Sequence, residues 1–281
     1  MYKTIPKPIK RSPLRLMLGK AYFSFRRWIF WMFGGIKFAR KGKEDLPHKQ
    51  YSHETPLLRK LKDVDMYLQH NKITNLKIAI QKVNNVIIYP GETFSYWKLI
   101  GKPTKRKGYL NGMILKSGTV TEGIGGGLCQ LSNLLYWMTI HTPLTVVERY
   151  RHGYDVFPDS NRTQPFGSGA TCSYNYVDLM IKNNTEQAFQ LFVEVGETHL
   201  KGAWKSDMPP QYHYEVYEKE HFFKSELWGL NTRNNVIHRK VFDRNNNLID
   251  DEFVVGNHAL MMYPPFLTDS AEGSFGGGSD E

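Results

Sequence analysis

The run Gly123-Ile124-Gly125-Gly126-Gly127-Leu128-Cys129-Gln130 leads a glycine-rich turn straight into an apolar repeat at Leu131, Leu134, Leu135 and Met138. That spacing is one stripe of an amphipathic helix, so the chain must turn sharply and then bury this face. Cys129 falls in the first helical turn, where unpaired N–H groups and the positive helix end favour a thiolate. A thiol so placed is expected to ionise below the free value of about 8.5. Its neighbours at helical spacing are Ser132, Asn133 and Tyr136, a polar face that suits a cleft wall. The alternative is a small buried filler, the common fate of a free cysteine.

Around this helix the pattern is that of an α+β protein with an antiparallel, β-rich core. Leu76, Ala79, Ile80 and Val83 predict a second helix, with Thr74 or Asn75 placed to cap it. Strands are expected at 86–89, 93–97, 144–152, 176–182, 187–195 and 198–204, and a hairpin over 113–121. Pro47 to Pro56 reads as a polar linker, and 155–171 as a long, potentially functional loop. The organisation expected is an arm and linker over 1–50, a core domain over 51–208, a β-rich extension over 209–267 and a disordered tail over 268–281.

The net charge of +10 is carried by the arm. Residues 1–45 hold twelve Lys or Arg against Glu44 and Asp45, and the remainder is balanced. Cations alternate there with Leu14, Leu18, Phe25, Trp28 and Phe33, and no run reaches the roughly 20 apolar residues of a span. The arm is expected to lie on an anionic membrane surface, which implies a cytoplasmic protein with peripheral contact at the inner face. No secretory signal is expected, because the apolar run Trp28 to Phe33 is short and lacks a cleavage site. A basic helix packed on its own domain is the alternative. No finger, RNP or helix-turn-helix pattern supports nucleic-acid binding.

Cys129 and Cys172 are too few for a disulfide framework. A thiolate nucleophile needs a base and a group to orient it. His152, closing the strand after the cysteine helix, is the candidate base. Asp155, Asp159 and Asp178 are candidates to orient it, and Asp178 is preferred at the start of the next strand. Gln130 is a candidate oxyanion donor. His141, at the helix C-terminus, is explained by the dipole. Gly125, Gly126, Gly127, Arg149, Asp155 and Arg162 make up the candidate ligand-contacting set, Arg162 as a carboxylate partner. The glycine run lacks the endings of a phosphate loop or a dinucleotide fingerprint, and the histidines lack metal-ligand spacing, so no cofactor or metal is implied.

The segments Pro90-Gly91-Glu92-Thr93-Phe94-Ser95, Gly125 to Ser132, Glu148-Arg149 with His152, Gly167-x-Gly169-Ala170-Thr171, and Asp178-Leu179 before Asn183-Asn184 resemble the VanW family. Gly169 stands where many longer members have aspartate. The resemblance implies a setting in glycopeptide resistance and cell-wall metabolism, with a cell-wall peptide or precursor as ligand, and no particular reaction. The order Cys, His, Asp is also similar to transglutaminase and papain-like proteins, an analogy of element order alone. Two functions follow as expectations: a non-catalytic accessory that binds a ligand, slightly favoured, or a thiol-dependent amide hydrolase or acyl transferase using Cys129, His152, Asp178 and Gln130.

Overall fold

The computed structural model describes residues 11–58, 65–116, 118–156, 164–227 and 229–263. Asp159 and Arg162 lie outside the described residues. The protein is α+β with mostly antiparallel sheets. Its central sheet has five strands: β1 (Arg40–Lys41), β2 (His48–Pro56), β3 (Val86–Ile88), β10 (Phe189–Val195) and β11 (His199–Ser206), in the order β1-β3-β10-β11-β2. The helix that carries the cysteine, α4 (Cys129–Thr139), packs on the β11 and β2 end. Leu131, Leu134, Leu135 and Met138 are all at most 1% exposed and meet Leu191, Val193, Leu200 and Trp204 in one core. Close approach is allowed by Gly202 of β11, where a Cβ would stand 2.7 Å from Met138 Cε.

Helix α2 (Met66–Val83) covers β10 with Leu76, Ala79, Ile80 and Val83. It begins eight residues before the cap expected at Thr74 or Asn75. Asn75 is instead buried in mid-helix, because its amide binds Leu110 O at 3.1 Å and Gly126 O at 2.9 Å. A three-stranded sheet, β4 (Thr93–Ser95), β7 (Thr145–Glu148) and β9 (Met180–Lys182), lies beside this core in the order β4-β9-β7. All three strands are shorter than expected. After β4, Ser95 caps the one-turn helix α3 (Tyr96–Ile100), accepting Lys98 N at 3.3 Å, so the strand stops there. His152 and Asp178 both fall outside strands.

The supposed linker at Pro47 to Pro56 is strand β2, paired along its whole length with β11. Tyr51, His53 and Thr55 alternate inward, and their polar type hides the strand in the sequence. The hairpin of β5 (Asn111–Lys116) and β6 (Thr119–Ile124) delivers the chain to the glycine turn. Beyond residue 210, β12 (His213–Ser225), β13 (Asn231–Phe242) and β14 (Leu248–Met261) form a meander that β8 (Tyr154–Asp155) joins in parallel. Arg239 of β13 ties this sheet to α4, donating to Ile140 O at 3.0 Å and Thr142 O at 2.8 Å. Those carbonyls have no partner within the helix, so the arginine caps its C-terminal end.

A candidate functional site at the start of the cysteine helix

The glycine turn is a packing device. Gly125 and Gly127 adopt φ of 76° and 88°, the left-handed region open to glycine. A Cβ on Gly126 would stand 2.1 Å from the Gly112 carbonyl carbon, and one on Gly127 would run into the Lys72 side chain at 2.2 Å. The N–H groups of Gly125, Gly126 and Gly127 donate to Leu110 O, Gly123 O and Met113 O, each at 3.0 Å. These donors are therefore spent inside the protein.

The same closure continues into α4. Gln130 N and Leu131 N donate to Gly127 O and Leu128 O, both at 3.1 Å, and the buried Tyr96 hydroxyl donates to Leu128 O at 2.9 Å. Cys129 keeps some exposed surface, yet its sulfur points inward, 4.0 Å from Cys172 O. Burial pushes the thiol up, against the two backbone hydrogen bonds that favour the thiolate. The expected lowering is thus reversed. Cys172 is pushed well up, first by burial and then by Cys129 and Asp178.

Two of the three residues of the supposed cleft wall are also covered, Asn133 alone of them being exposed. Ser132 and Tyr136 are 0% and 2% exposed. Ser132 Oγ donates to Ala170 O at 2.6 Å, and the Arg149 guanidinium lies 4.5 Å over the Tyr136 ring. Arg149 itself is occupied: it donates to Gly167 O, to Gly169 O at 2.8 Å and to Asn257 Oδ1 at 3.2 Å. Gly169 lies against Asn133, whose Oδ1 accepts Ala170 N at 2.8 Å. Asp155 is buried, accepts the Tyr263 hydroxyl at 2.8 Å and pairs with Arg233 at 3.6 Å.

Asp178 is fully buried beneath this cluster. Oδ2 accepts the Ser95 hydroxyl at 2.6 Å, and Oδ1 accepts Trp97 N and Leu179 N at 2.9 Å. Those donors favour the carboxylate, but desolvation outweighs them and pushes its pKa up to about 7. No hydrogen bond joins His152 to Cys129 or to Asp178. His152 is lowered by burial and by Arg151. His141 is lowered to about 4 by burial, so it is a neutral ring, with Nδ1 at 2.8 Å from Trp137 O and therefore donating. The helix dipole does not account for it.

A set of polar side chains lies between α4, β2 and the segment that starts at Gln164. Gln130 Nε2 donates to Thr55 Oγ1 and Pro56 O at 2.9 Å, while its enclosed Oε1 has no partner among the described residues. One turn on, Asn133 is exposed. His53, whose pKa burial lowers, takes a hydrogen bond from Gln164 at 2.9 Å and stands 6.1 Å from the Trp137 ring. Sequence reasoning missed His53, Gln164 and Trp137 because they come from three separate segments. Among the described residues no three His, Cys, Asp or Glu side chains cluster to hold a metal ion.

The family model described as VanW like protein matches residues 71–205. The chain is 31% identical over 256 residues to the vancomycin B-type resistance protein VanW of Enterococcus faecalis, covering 91% of this chain and 93% of that one. It belongs to the VanW family. A second relative, the uncharacterized protein YoaR of Bacillus subtilis, is 32% identical over 116 residues, 40% of this chain and 36% of that protein. No solved structure gives a significant match. The segments that carry the VanW likeness converge on one buried frame. Ser95 and Asp178 hold its base, Gly125 to Ser132 its helix start, and Arg149 with Gly167 to Ala170 its far wall.

Proposed function

We propose that this VanW-family chain serves glycopeptide resistance as a non-catalytic accessory that binds a cell-wall peptide or its precursor. The name of the enterococcal relative, a vancomycin B-type resistance protein, supports the setting. The observation that carries the binding mode is the unpartnered Gln130 Oε1 one helical turn from the exposed amide of Asn133. An unpaired enclosed acceptor is uncommon and asks for a donor. Together the two amides offer an acceptor and a donor one helical turn apart, with Trp137 and His53 on the neighbouring positions. A thiol pushed up by burial, with no base bonded to it, fits a framework role for Cys129.

Calorimetric titration with a soluble cell-wall stem peptide tests the reading. Saturable binding is expected for the native chain, with at least a tenfold loss in Gln130→Ala/Asn133→Ala. Cys129→Ser is expected to bind and to support resistance as the native chain does. Loss of resistance in Cys129→Ser with retained peptide binding would favour the thiol-dependent hydrolase or acyl transferase built on Cys129, His152 and Asp178.

A further inference from the structure

Helix α1 (Pro13–Phe33) is fastened to the body along one face only. Arg27 pairs with Glu148, Asn175 Nδ2 donates to Ser24 O at 3.2 Å, and Trp31 is 7% exposed with its carbonyl accepting Lys98 Nζ at 3.4 Å. Roughly 140° around the helix, at 3.6 residues per turn, Leu14, Leu18, Tyr22, Phe25, Ile29 and Met32 form a continuous stripe. They are 42% to 65% exposed. Nearer the N-terminus even the docked face is lost: from Pro13 to Phe23 every residue but Gly19 is exposed.

An apolar stripe of this length is unusual on a soluble surface and marks an interaction site. Its spacing from Leu18 onward would also suit a helix pair, so charge has to decide the occupant. The helix contains no Asp or Glu, and Arg11, Arg15 and Arg26 flank the stripe. A second copy would bring like charges together with nothing to pair them. An anionic lipid surface supplies the missing charge, and the flanking stems reach its headgroups while the stripe enters the acyl boundary. No helix among the described residues is long and apolar enough to cross a membrane.

We infer that α1 lies in the plane of an anionic bilayer surface, stripe inward, and that its docked face holds the body at a fixed orientation to that surface. Flotation of the full chain with phosphatidylglycerol-rich and with purely phosphatidylcholine vesicles tests this. Binding to the anionic vesicles alone is expected, with about fivefold weaker partitioning for each cation neutralised in Arg15→Gln and Arg26→Gln. Leu18→Glu/Phe25→Glu should abolish binding while the far-ultraviolet circular dichroism stays native. Equal binding to both vesicle types, or unchanged binding of the double variant, would overturn the inference. So would a dimer in sedimentation equilibrium that Leu18→Glu/Phe25→Glu dissociates.

Discussion

The Arg27 guanidinium holds the Glu148 carboxylate through two parallel hydrogen bonds, Nη1 to Oε2 at 2.8 Å and Nη2 to Oε1 at 2.5 Å. Arg27 also donates to Tyr176 O at 3.1 Å, and Glu148 Oε1 accepts Asp178 N at 3.4 Å. One junction therefore joins α1, the end of β7 and the segment that carries Asp178. Only 10% and 19% of the two side chains is exposed, so the charges depend on one another.

Removing one partner leaves the other charge poorly solvated, which costs about 3 kcal/mol for a buried pair. Arg27→Gln is expected to lower the free energy of unfolding, extrapolated from urea titration, by that amount. Arg27→Gln/Glu148→Gln should recover part of the loss, because neither charge is then stranded. An exposed, weakly coupled pair would give a single-variant change under about 1 kcal/mol.

Gly126 makes a second, steric prediction. Its missing side chain would collide with the backbone of Gly112, which cannot rotate away. Gly126→Ala is expected to destabilise by about 3 kcal/mol, at the upper end of overpacking costs. Gly153→Ala, with nothing within 4 Å of its Cβ, serves as the matched control and should change stability by less than about 0.5 kcal/mol. Parallel thermal melts decide it: similar values for the two variants would remove the close contact as the reason for the glycine.

The apolar stripes of α2 and α4 were legible because they recur at helical spacing, and the hairpin because its turn residues are explicit. The polar face of α4 misled for a physical reason. That helix is covered on two sides, by the central sheet and by residues 170–172, and Ser132 is tolerated inside because Ala170 O accepts its hydroxyl. Strand β2 was hidden for a related reason: its inward residues are Tyr51, His53 and Thr55, chosen by their contact with α4 rather than by hydropathy. Asn75 has the type of a cap and the job of a buried bracket. In each case a polar residue faces inward because a group distant in sequence, backbone for Ser132 and Asn75 and side chain for Tyr51, His53 and Thr55, meets it, a pairing that sequence spacing does not encode.

Two buried groups bend the pH dependence of stability in opposite directions. Asp178 rises from 3.8 to about 7, so the folded state keeps its proton while the unfolded state ionises. Its contribution is intact below about pH 4 and is lost as pH rises to about 7, worth about 4 kcal/mol at most. His141 falls from 6.5 to about 4, so its contribution is intact above pH 6.5 and is lost as pH falls through that window, by about 3 kcal/mol. The native chain should therefore show a shallow profile from pH 4 to 7. Asp178→Asn should gain stability relative to it as pH rises, and His141→Gln as pH falls. Parallel profiles for all three proteins would remove both assignments.

The last prediction concerns the thiol. Cys129 sits above the ordinary thiol value because burial outweighs the backbone hydrogen bonds. Alkylation needs the thiolate, which burial disfavours here. Iodoacetamide labelling of native Cys129, followed by mass spectrometry to separate it from Cys172, should be slower than that of a free cysteine peptide. Its rate should still be rising at pH 9, and unfolding in urea should accelerate it. A half-point below about 8.5 in the native protein would mean that the helix start stabilises the thiolate after all. The balance between desolvation and dipole at this one sulfur would then have been drawn the wrong way, and the catalytic use of Cys129 would gain the ionised nucleophile it requires.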